Sequence, residues 1–306
     1  MSVVVYEVGP RDGLQNEPVT LPVESRIAFV DALSLAGLPI IEVGAFVNRA
    51  RVPAMADSDR VFAGITRRAG TRYAALVPNL KGLERAVAAK ADIVAFFAAA
   101  SESFSHRNIN HSISESFEIY GAVADAATAA GLPARGYLST AFGCPFEGPV
   151  PISRVVELTL RLLELGVYEV AISDTIGVAH PEQVRRVLDA LLVAVPPARL
   201  AVHFHDTRGM GIANVVASLA MGIRTVDSSA GGLGGCPYAP GATGNIATED
   251  VLYLLHGLGH ETGVNPQRVA DASLAIASVL GHPLPSRALQ AEAAARRRSG
   301  TRPPTA

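Results

Sequence analysis

The chain has 306 residues, of which 49% are hydrophobic and 18% are charged, and its formal net charge is −2. This length suits either two ordinary domains or one large α/β barrel, which needs about 250 residues. A near-neutral charge leaves no electrostatic footprint for nucleic acid or for an anionic membrane surface, so neither is expected as a partner. Two cysteines in so long a chain favour free thiols and a reducing compartment.

The N-terminal residues predict no export signal. Charged residues occur at Glu7 and Arg11, too early for the apolar stretch of a signal peptide, and the segment lacks the Arg- and Ser-rich character of a mitochondrial leader. Apolar runs of roughly 20 residues, which a bilayer span requires, do not occur in the sequence. We therefore expect a soluble cytoplasmic protein.

Short β-branched segments alternate with longer segments of helical periodicity along the whole chain. The predicted strands are Val3–Val8, Ile40–Phe46, Tyr73–Val77, Ile93–Ala98, Ala134–Phe142, Tyr168–Ser173, Leu200–Phe204 and Thr225–Ala230. The predicted helices are Val23–Ala36, Leu80–Ala91, Ser114–Ala130, Ser153–Leu165, Glu182–Val195, Ile212–Met221 and Ala247–Leu258. This alternation is typical of parallel strands joined by right-handed crossovers. We predict a (β/α)8 TIM barrel, with a doubly wound open sheet as the alternative, although no Gly-x-Gly-x-x-Gly follows the first strand.

Glycine and proline mark the predicted helix boundaries. Pro181 suits a first helical turn, and Pro266–Leu280 predicts one more helix beyond the barrel. Four glycines suit the left-handed position after a helix end, namely Gly37, Gly131, Gly166 and Gly222. We expect one barrel domain over residues 1–285. The remainder, 286–306, is expected to be the end of a helix and a disordered tail whose basic cluster, Arg296–Arg298, is solvated.

Polar residues concentrate where the predicted strands end, which is where the functional groups of a barrel lie. His203 and His205 are two apart on the seventh strand, so both imidazoles point to the same side. An isolated pair could simply be buried and bonded to backbone, but Asp12 and Asn245 follow the neighbouring first and eighth strands. Two imidazoles, a carboxylate and an amide oxygen leave positions open on an octahedral ion, which favours Mg²⁺ or Mn²⁺ over a closed tetrahedral Zn²⁺ site.

Three further charged residues at these strand ends are candidates for catalysis. Arg11 could form a surface ion pair, but its position favours a donor to a carbonyl oxygen that becomes an enolate. Asp174, after the sixth strand, could cap the next helix or act as a general base. Glu42 lies in an apolar strand, where burial is costly unless it pairs with Arg11 or orients a ligand.

The two cysteines differ in their surroundings. Cys236 lies among four glycines and a proline, in a loop that can approach a ligand closely. We interpret it as a functional thiol, with a buried inert thiol as the alternative. Cys144, in Phe-Gly-Cys-Pro-Phe, is interpreted as structural.

Three segments are similar to the hydroxymethylglutaryl-CoA lyase family. Glu7–Glu17 contains Gly-Pro-Arg-Asp-Gly-Leu-Gln-Asn-Glu, Ala179–Asn214 contains His-Phe-His-Asp-Thr-Arg-Gly, and Val226–Asp250 contains Gly-Leu-Gly-Gly-Cys-Pro-Tyr-Ala. Weaker similarity in Ala100–Phe117 and Ser139–Gly148 extends the resemblance over about residues 3–285.

The resemblance implies a homodimeric barrel that binds one divalent cation, Mg²⁺ or Mn²⁺, and an acyl-CoA thioester. The metal ligands that it implies are Asp12, His203, His205 and Asn245. The catalytic residues that it implies are Arg11 as enolate stabiliser, Cys236 as proton donor or loop-borne catalyst, and Asp174 and Glu42 as acid–base and supporting carboxylates.

The chain departs from the family pattern after the second strand. Gly44-Ala45 replaces the usual Thr-Ser, and Pro18 replaces a common lysine. We expect the smaller pair to enlarge the acyl pocket, and Arg49 or Arg51 to replace lost positive charge.

Four functions are therefore considered. The first is cleavage of 3-hydroxy-3-methylglutaryl-CoA to acetyl-CoA and acetoacetate. The second is a lyase for a longer-chain or bulkier 3-hydroxyglutaryl-CoA. The third is a condensing synthase of the same superfamily, which the Gly-Cys-Pro-Tyr loop and the missing long C-terminal domain disfavour. The fourth is an inactive barrel that only binds, which retention of all the proposed site residues disfavours.

Overall fold

A computed structural model describes residues 2–235 and 244–299. The strands are β1 Val4–Glu7, β2 Ile40–Ala45, β3 Arg72–Leu76, β4 Ile93–Ala99, β5 Ala134–Ser139, β6 Val170–Asp174, β7 Leu200–Phe204 and β8 Thr225–Ser228. They are all parallel and form a closed barrel in sequence order, since β8 pairs with β1. The predicted TIM barrel is confirmed, and the open-sheet alternative is wrong.

Helices cover the outside of the barrel. Their bounds are α1 Val23–Leu35, α2 Ser58–Gly64, α3 Leu80–Ala88, α4 Glu102–Ile109, α5 Ile113–Ala129, α6 Ile152–Glu164, α7 Pro181–Leu192, α8 Gly211–Ala220, α9 Thr248–Gly257, α10 Pro266–Leu280 and α11 Arg287–Ser299. On α6, Val155, Leu158 and Leu162 are fully buried, as the 3–4 spacing of its apolar residues predicts. None of the helices within the described ranges has the length and apolarity of a bilayer-spanning segment.

Local sequence explains most helix ends. The four glycines expected after helices all have positive φ, for example 86° at Gly37 and 89° at Gly222. Helix α5 begins with a reciprocal cap, in which the side chains of Ser112 and Glu115 each accept a backbone N–H of the other residue. Pro181 is the first residue of α7, as predicted.

The sequence prediction missed the short helices α2 and α4, and it differs from the structure at the C-terminus. Helix α11 continues through the basic cluster to Ser299, where a disordered tail was expected from Arg296. Arg296 bonds Glu292 one turn earlier and reaches Asp271 on α10. These contacts with carboxylates stabilise the last turns of the helix.

Candidate active site and metal centre

A cleft of about 740 Å³ opens at the end of the barrel where the strands terminate. Its lining comes from strand ends on both sides of the barrel and from α4 and α5. The polar residues of its floor are Arg11, Asp12, Tyr137, Ser139, Ser173, Thr175, His203 and His205. The functional groups predicted at the strand ends are thus concentrated in one place, as expected for this fold.

The four predicted metal ligands lie together on one side of this cleft. The Nε2 atoms of His203 and His205 are each 3.9 Å from Asp12 Oδ2. One potential ligand atom from each of these three residues lies within 4.8 Å of the others. Asn245 Nδ2 donates to the same Asp12 oxygen at 2.9 Å. Asp12 follows β1, His203 and His205 lie in and just after β7, and Asn245 follows β8. Their side chains therefore converge as the sequence predicts.

The hydrogen bonding of these residues fits a divalent cation. His203 Nδ1 is 3.2 Å from Asp227 Oδ2, and a proton on Nδ1 leaves the Nε2 lone pair directed at the cluster. Asn245 Oδ1 and His205 Nδ1 are buried and lack a hydrogen-bond partner among the described residues. Buried polar atoms are normally bonded, so these two have capacity for a ligand or for water. Imidazole nitrogen with carboxylate and amide oxygen is a donor set that Mn²⁺ and Mg²⁺ accept.

Charge around Asp12 keeps its carboxylate ionised. Burial alone would raise the pKa of Asp12, but the Arg11 guanidinium and the nearby imidazoles of His205 and His203 together hold it well below its usual range. Metal ligands must be deprotonated, so Asp12 is available as a ligand at every pH near neutrality.

A buried ionic network lies beneath the histidines. Arg135 on β5 donates to Asp227 on β8 at 2.7 and 3.1 Å, and to Glu169 at 2.8 Å. The Arg135 guanidinium also stacks 4.0 Å above the Tyr6 ring. The pKa of Asp227 is lowered, because Arg135 and His203 outweigh the opposing effect of burial. Thus Arg135 fixes Asp227, and Asp227 in turn fixes the ring of His203.

Arg135 and Asp227 were not predicted from the sequence. A signal was present for Arg135, because it is a charged residue within a short, otherwise mostly apolar strand. Asp227 lies among Thr225, Val226 and Ser228, which gives no such contrast. Tyr137, two residues after Arg135 on the same face of β5, was also missed, and it lines the cleft.

Arg11 is held in the cleft by two carboxylates. Its Nε donates to Glu42 Oε1 and its Nη1 to Asp12 Oδ1, which confirms the expected pairing of Arg11 with Glu42. Tyr137 donates its hydroxyl to the second Glu42 oxygen at 2.7 Å. Although burial opposes the charge, Glu42 and Asp12 raise the pKa of Arg11, so it stays cationic. A guanidinium fixed on both sides and facing a cleft is a preorganised donor for a developing anion.

Asp174 is placed differently from the other candidates. Its two oxygens accept the backbone N–H groups of Val178 and Ala179 at 3.0 and 2.9 Å. Helix α7 is capped instead by His180. Burial, only partly offset by these hydrogen bonds, raises the pKa of Asp174. This geometry favours a role in holding the loop between β6 and α7.

Cys236 lies outside the described residues, whereas the chain on either side of it is described. A Cβ on Gly234 (φ 125°) would lie 2.7 Å from Asn245 Nδ2, and one on Gly244 (φ 87°) would lie 2.4 Å from Gly234 O. Both positions therefore require glycine, for backbone conformation and for space. The described ends of the segment thus meet beside Asn245 at the metal cluster.

Cys144 and the two arginines that follow β2 lie in different surroundings. Cys144 is buried with its sulfur 2.8 Å from Ser101 Oγ, which favours the structural interpretation. Arg51 lines the cleft, while Arg49 pairs with Asp59 at 2.7 Å.

The expectation that Gly44 enlarges the pocket is wrong, because a Cβ there would meet Ser58 Oγ at 2.5 Å behind the strand. A register shift between Glu42 and Gly44 turns Gly44 outward. Ala45 pairs in register with Leu76, which lines the cleft, although Ala45 itself is fully buried.

Comparison with known proteins identifies the family. A model of the HMGL-like family matches residues 2–276. A Pseudomonas aeruginosa protein named 3-hydroxy-3-isohexenylglutaryl-CoA/hydroxymethylglutaryl-CoA lyase is 52% identical, over 94% of this chain and 96% of its own. The crystal structure of hydroxymethylglutaryl-CoA lyase from P. aeruginosa has a TM-score of 0.94 at 52% identity, covering 96% of this chain and 98% of that chain. An HMG-CoA lyase from Acinetobacter baumannii, solved with coenzyme A and 3-methylmalate, has a TM-score of 0.91 at 38% identity, covering 95% of each chain.

Curated relatives include lyases named as cytoplasmic and others named as mitochondrial, so the names fix no compartment for this chain. The match in sequence, however, extends over nearly the whole length of the chain and includes the strand ends that build the cleft. On this evidence the chain belongs to the HMGL-like family, the hydroxymethylglutaryl-CoA lyase family that its motifs resemble.

Proposed function

We propose that this protein is a divalent-metal-dependent lyase that cleaves 3-hydroxy-3-methylglutaryl-CoA to acetyl-CoA and acetoacetate. One observation carries the proposal. The cluster of Asp12, His203 and His205 lies next to the buried cation Arg11 at the floor of one cleft, in a chain whose relatives are named as lyases of this substrate.

The reaction needs an acidified hydroxyl and a stabilised enolate. Asp12, His203, His205 and Asn245 would hold Mg²⁺ or Mn²⁺, which would supply Lewis acidity to the C3 hydroxyl of the substrate. That hydroxyl gives its proton to the proposed general base Asp174, C3 becomes the ketone of acetoacetate, and the C2–C3 bond breaks. Its electron pair becomes the enolate of the acetyl thioester, and Arg11 donates hydrogen bonds to the enolate oxygen. Protonation of the enolate carbon then gives acetyl-CoA.

The remaining candidates take distinct roles in this scheme. Cys236 is the proposed proton donor to the enolate, since the ends of its segment meet beside Asn245. Glu42 orients Arg11 and Tyr137 through its two oxygens. Asp174 is the proposed general base, and each of its oxygens also accepts one backbone N–H of the loop after β6, which fixes the carboxylate and leaves lone pairs free.

Product analysis tests the proposal. The purified protein is treated with a chelator, supplied with Mn²⁺ or Mg²⁺, and incubated with 3-hydroxy-3-methylglutaryl-CoA. We expect equal amounts of acetyl-CoA and acetoacetate, formed only with the metal present. The Arg11→Gln variant should bind Mn²⁺ but release products about 10²–10³-fold more slowly, the usual loss for an electrostatic stabiliser. Release of free CoA without acetoacetate would indicate a thioesterase and refute the lyase.

A longer-chain substrate is a second candidate, favoured by the double name of the P. aeruginosa relative. The wall of the cleft includes apolar side chains from β3, β4, α4 and α5, namely Leu76, Phe97, Phe104, Ile109 and Ile119. Apolar pockets discriminate by only about 1–3 kcal/mol per methylene. We therefore expect cleavage of methyl and longer 3-alkyl substrates with graded values of kcat/KM. A strict requirement for methyl would exclude this second activity.

Assembly and compartment are proposed from the family resemblance. We propose a homodimer, which sedimentation equilibrium tests directly through the molar mass. A cytoplasmic location is proposed too, and fractionation of the source cells tests it.

A further inference from the structure

The carboxylate of Glu7, at the end of β1, is fully buried beside the site but is not part of the metal cluster or the Arg11 ion pairs. Its Oε1 accepts the backbone N–H of Gly9 at 2.7 Å and that of Ala230 at 2.9 Å. Its Oε2 accepts the Thr248 hydroxyl at 2.7 Å. All three of these donors are uncharged. A buried carboxylate without a charged partner is costly, so its retention calls for a functional explanation.

The three donors lie on three separate segments, each of which leads to the site. Gly9 begins the helical turn Gly9–Gly13 that carries Arg11 and Asp12. Ala230 begins the turn that leads to Leu233, whose carbonyl accepts Asn245 Nδ2 at 3.2 Å. Thr248 is the first residue of α9, three residues after Asn245. The Glu7 side chain thus links the segment after β1, the segment after β8 and the start of α9.

We propose that Glu7 is a positioning residue that fixes the Arg11–Asp12 turn relative to Asn245 by accepting these three hydrogen bonds, while its charge takes no part in the reaction. The inference rests on the proposed function, because it states how the residues of that site are positioned relative to one another. Space is tight around the contact, because a Cβ on Gly9 would lie 2.6 Å from Glu7 Oε1.

Conservative and disruptive substitutions at Glu7 give opposite expectations. In Glu7→Gln the amide oxygen keeps both backbone contacts, and the amide nitrogen can donate to the Thr248 oxygen, whose proton can turn to Ser228 Oγ at 2.8 Å. Glu7→Met removes all three hydrogen bonds, while the side chain keeps a similar volume. We expect Glu7→Gln to retain kcat within about threefold, whereas Glu7→Met lowers kcat by about 10²-fold, the effect of a displacement on the order of 1 Å. A group acting through its charge or its proton would instead fail in both variants.

Glu249 provides the matched control. It is also a buried glutamate, and its two oxygens accept the N–H of Gly231 at 2.8 and 3.1 Å. The hydrogen bonds described for it do not reach the turn that carries Arg11. We expect Glu249→Met to lower the melting temperature as Glu7→Met does, but to change kcat and KM by no more than about threefold.

The experiment measures Mn²⁺ affinity, kcat and KM for the three variants at a temperature where all are folded. For Glu7→Met we expect Mn²⁺ affinity to weaken by about tenfold, as for outer-shell partners of metal ligands, with the loss of activity mainly in kcat. Equal losses in Glu7→Met and Glu249→Met, or an inactive Glu7→Gln, would overturn the proposal.

Two further arms keep the test decisive. If Glu7→Met does not fold, Thr248→Val removes one of the three donors, and we expect both kcat and Mn²⁺ affinity to fall by several-fold. Wild-type values in that variant would overturn the proposal. If the wild type cleaves no acyl-CoA, the proposed function fails, while the Mn²⁺ affinities still test the positioning role by themselves.

Discussion

Replacement of Asp227 by asparagine tests whether Asp227 orients His203 for metal binding in addition to stabilising the buried ionic network. Asp227 accepts His203 Nδ1 at 3.2 Å and both terminal nitrogens of Arg135. Asparagine keeps the volume but removes the charge, so Arg135 retains only the ion pair with Glu169, at 2.8 Å. Breaking a buried ion pair costs about 3–5 kcal/mol, and we expect the lower end because an amide oxygen can still accept one bond. The lost orientation of His203 should weaken Mn²⁺ binding by about 10–100-fold.

Glu169→Gln is the matched variant, because Glu169 pairs with the same arginine and is distant from the histidines in the contacts that the structure describes. It should lose a similar free energy of unfolding but keep Mn²⁺ affinity within about twofold of the wild type. Urea titrations give the stabilities, and electron paramagnetic resonance of free Mn²⁺ gives the affinities, at a temperature where both variants are folded. Equal weakening of Mn²⁺ binding in the two variants would refute the orientation of His203 by Asp227.

Four other substitutions give simpler tests. His205→Ala and Asp12→Ala should each abolish activity and weaken Mn²⁺ binding by about tenfold or more, since each removes a direct bond; unchanged affinity in both, measured by calorimetry, would refute the ligand assignment. Cys236→Ser should keep Mn²⁺ affinity and the melting temperature while lowering kcat by about 10²-fold; a variant with wild-type turnover would exclude the thiol as proton donor. Glu249→Gln should flatten the dependence of stability on pH. Burial raises the pKa of Glu249 from 4.5 to about 7, so the folded protein holds a proton that the unfolded chain has released. This group should lower the stability of the wild type by up to about 3 kcal/mol as pH rises through that window. Burial also raises the pKa of Glu7 to about 7, so part of the slope should persist in the variant. A slope identical to that of the wild type would show that Glu249 does not contribute.

The barrel and most of the ligand cluster could be predicted because short-range signals determine them. Alternation of strands and helices predicts the barrel, and the barrel in turn brings the residues after β1 next to those after β8. His203 and His205 followed from their spacing, and the pairing of Glu42 with Arg11 followed from the cost of burying a charge.

The missed and mistaken residues depend on long-range contacts or on local register. Arg135 meets Asp227 across the inside of the barrel, at a separation of 92 residues, and nothing near either residue indicates the other. Gly44 was placed in the pocket because it stands where the family usually has a hydroxyl residue, but the register shift in β2 turns it outward. Asp174 remains a candidate base, but the backbone N–H groups of Val178 and Ala179 that donate to its two oxygens could not be predicted from the sequence.

The central claim is that one divalent cation, held by Asp12, His203, His205 and Asn245, makes this protein a lyase. A single titration tests it most directly: chelator-treated protein receives Mn²⁺ in steps, and bound Mn²⁺ and acetyl-CoA release from 3-hydroxy-3-methylglutaryl-CoA are measured in the same samples. We predict that activity rises in proportion to bound ion and saturates at one Mn²⁺ per chain, and that His205→Ala binds Mn²⁺ at least about tenfold more weakly and is inactive. Full activity before any Mn²⁺ is added, or tight stoichiometric binding in His205→Ala, would contradict the account.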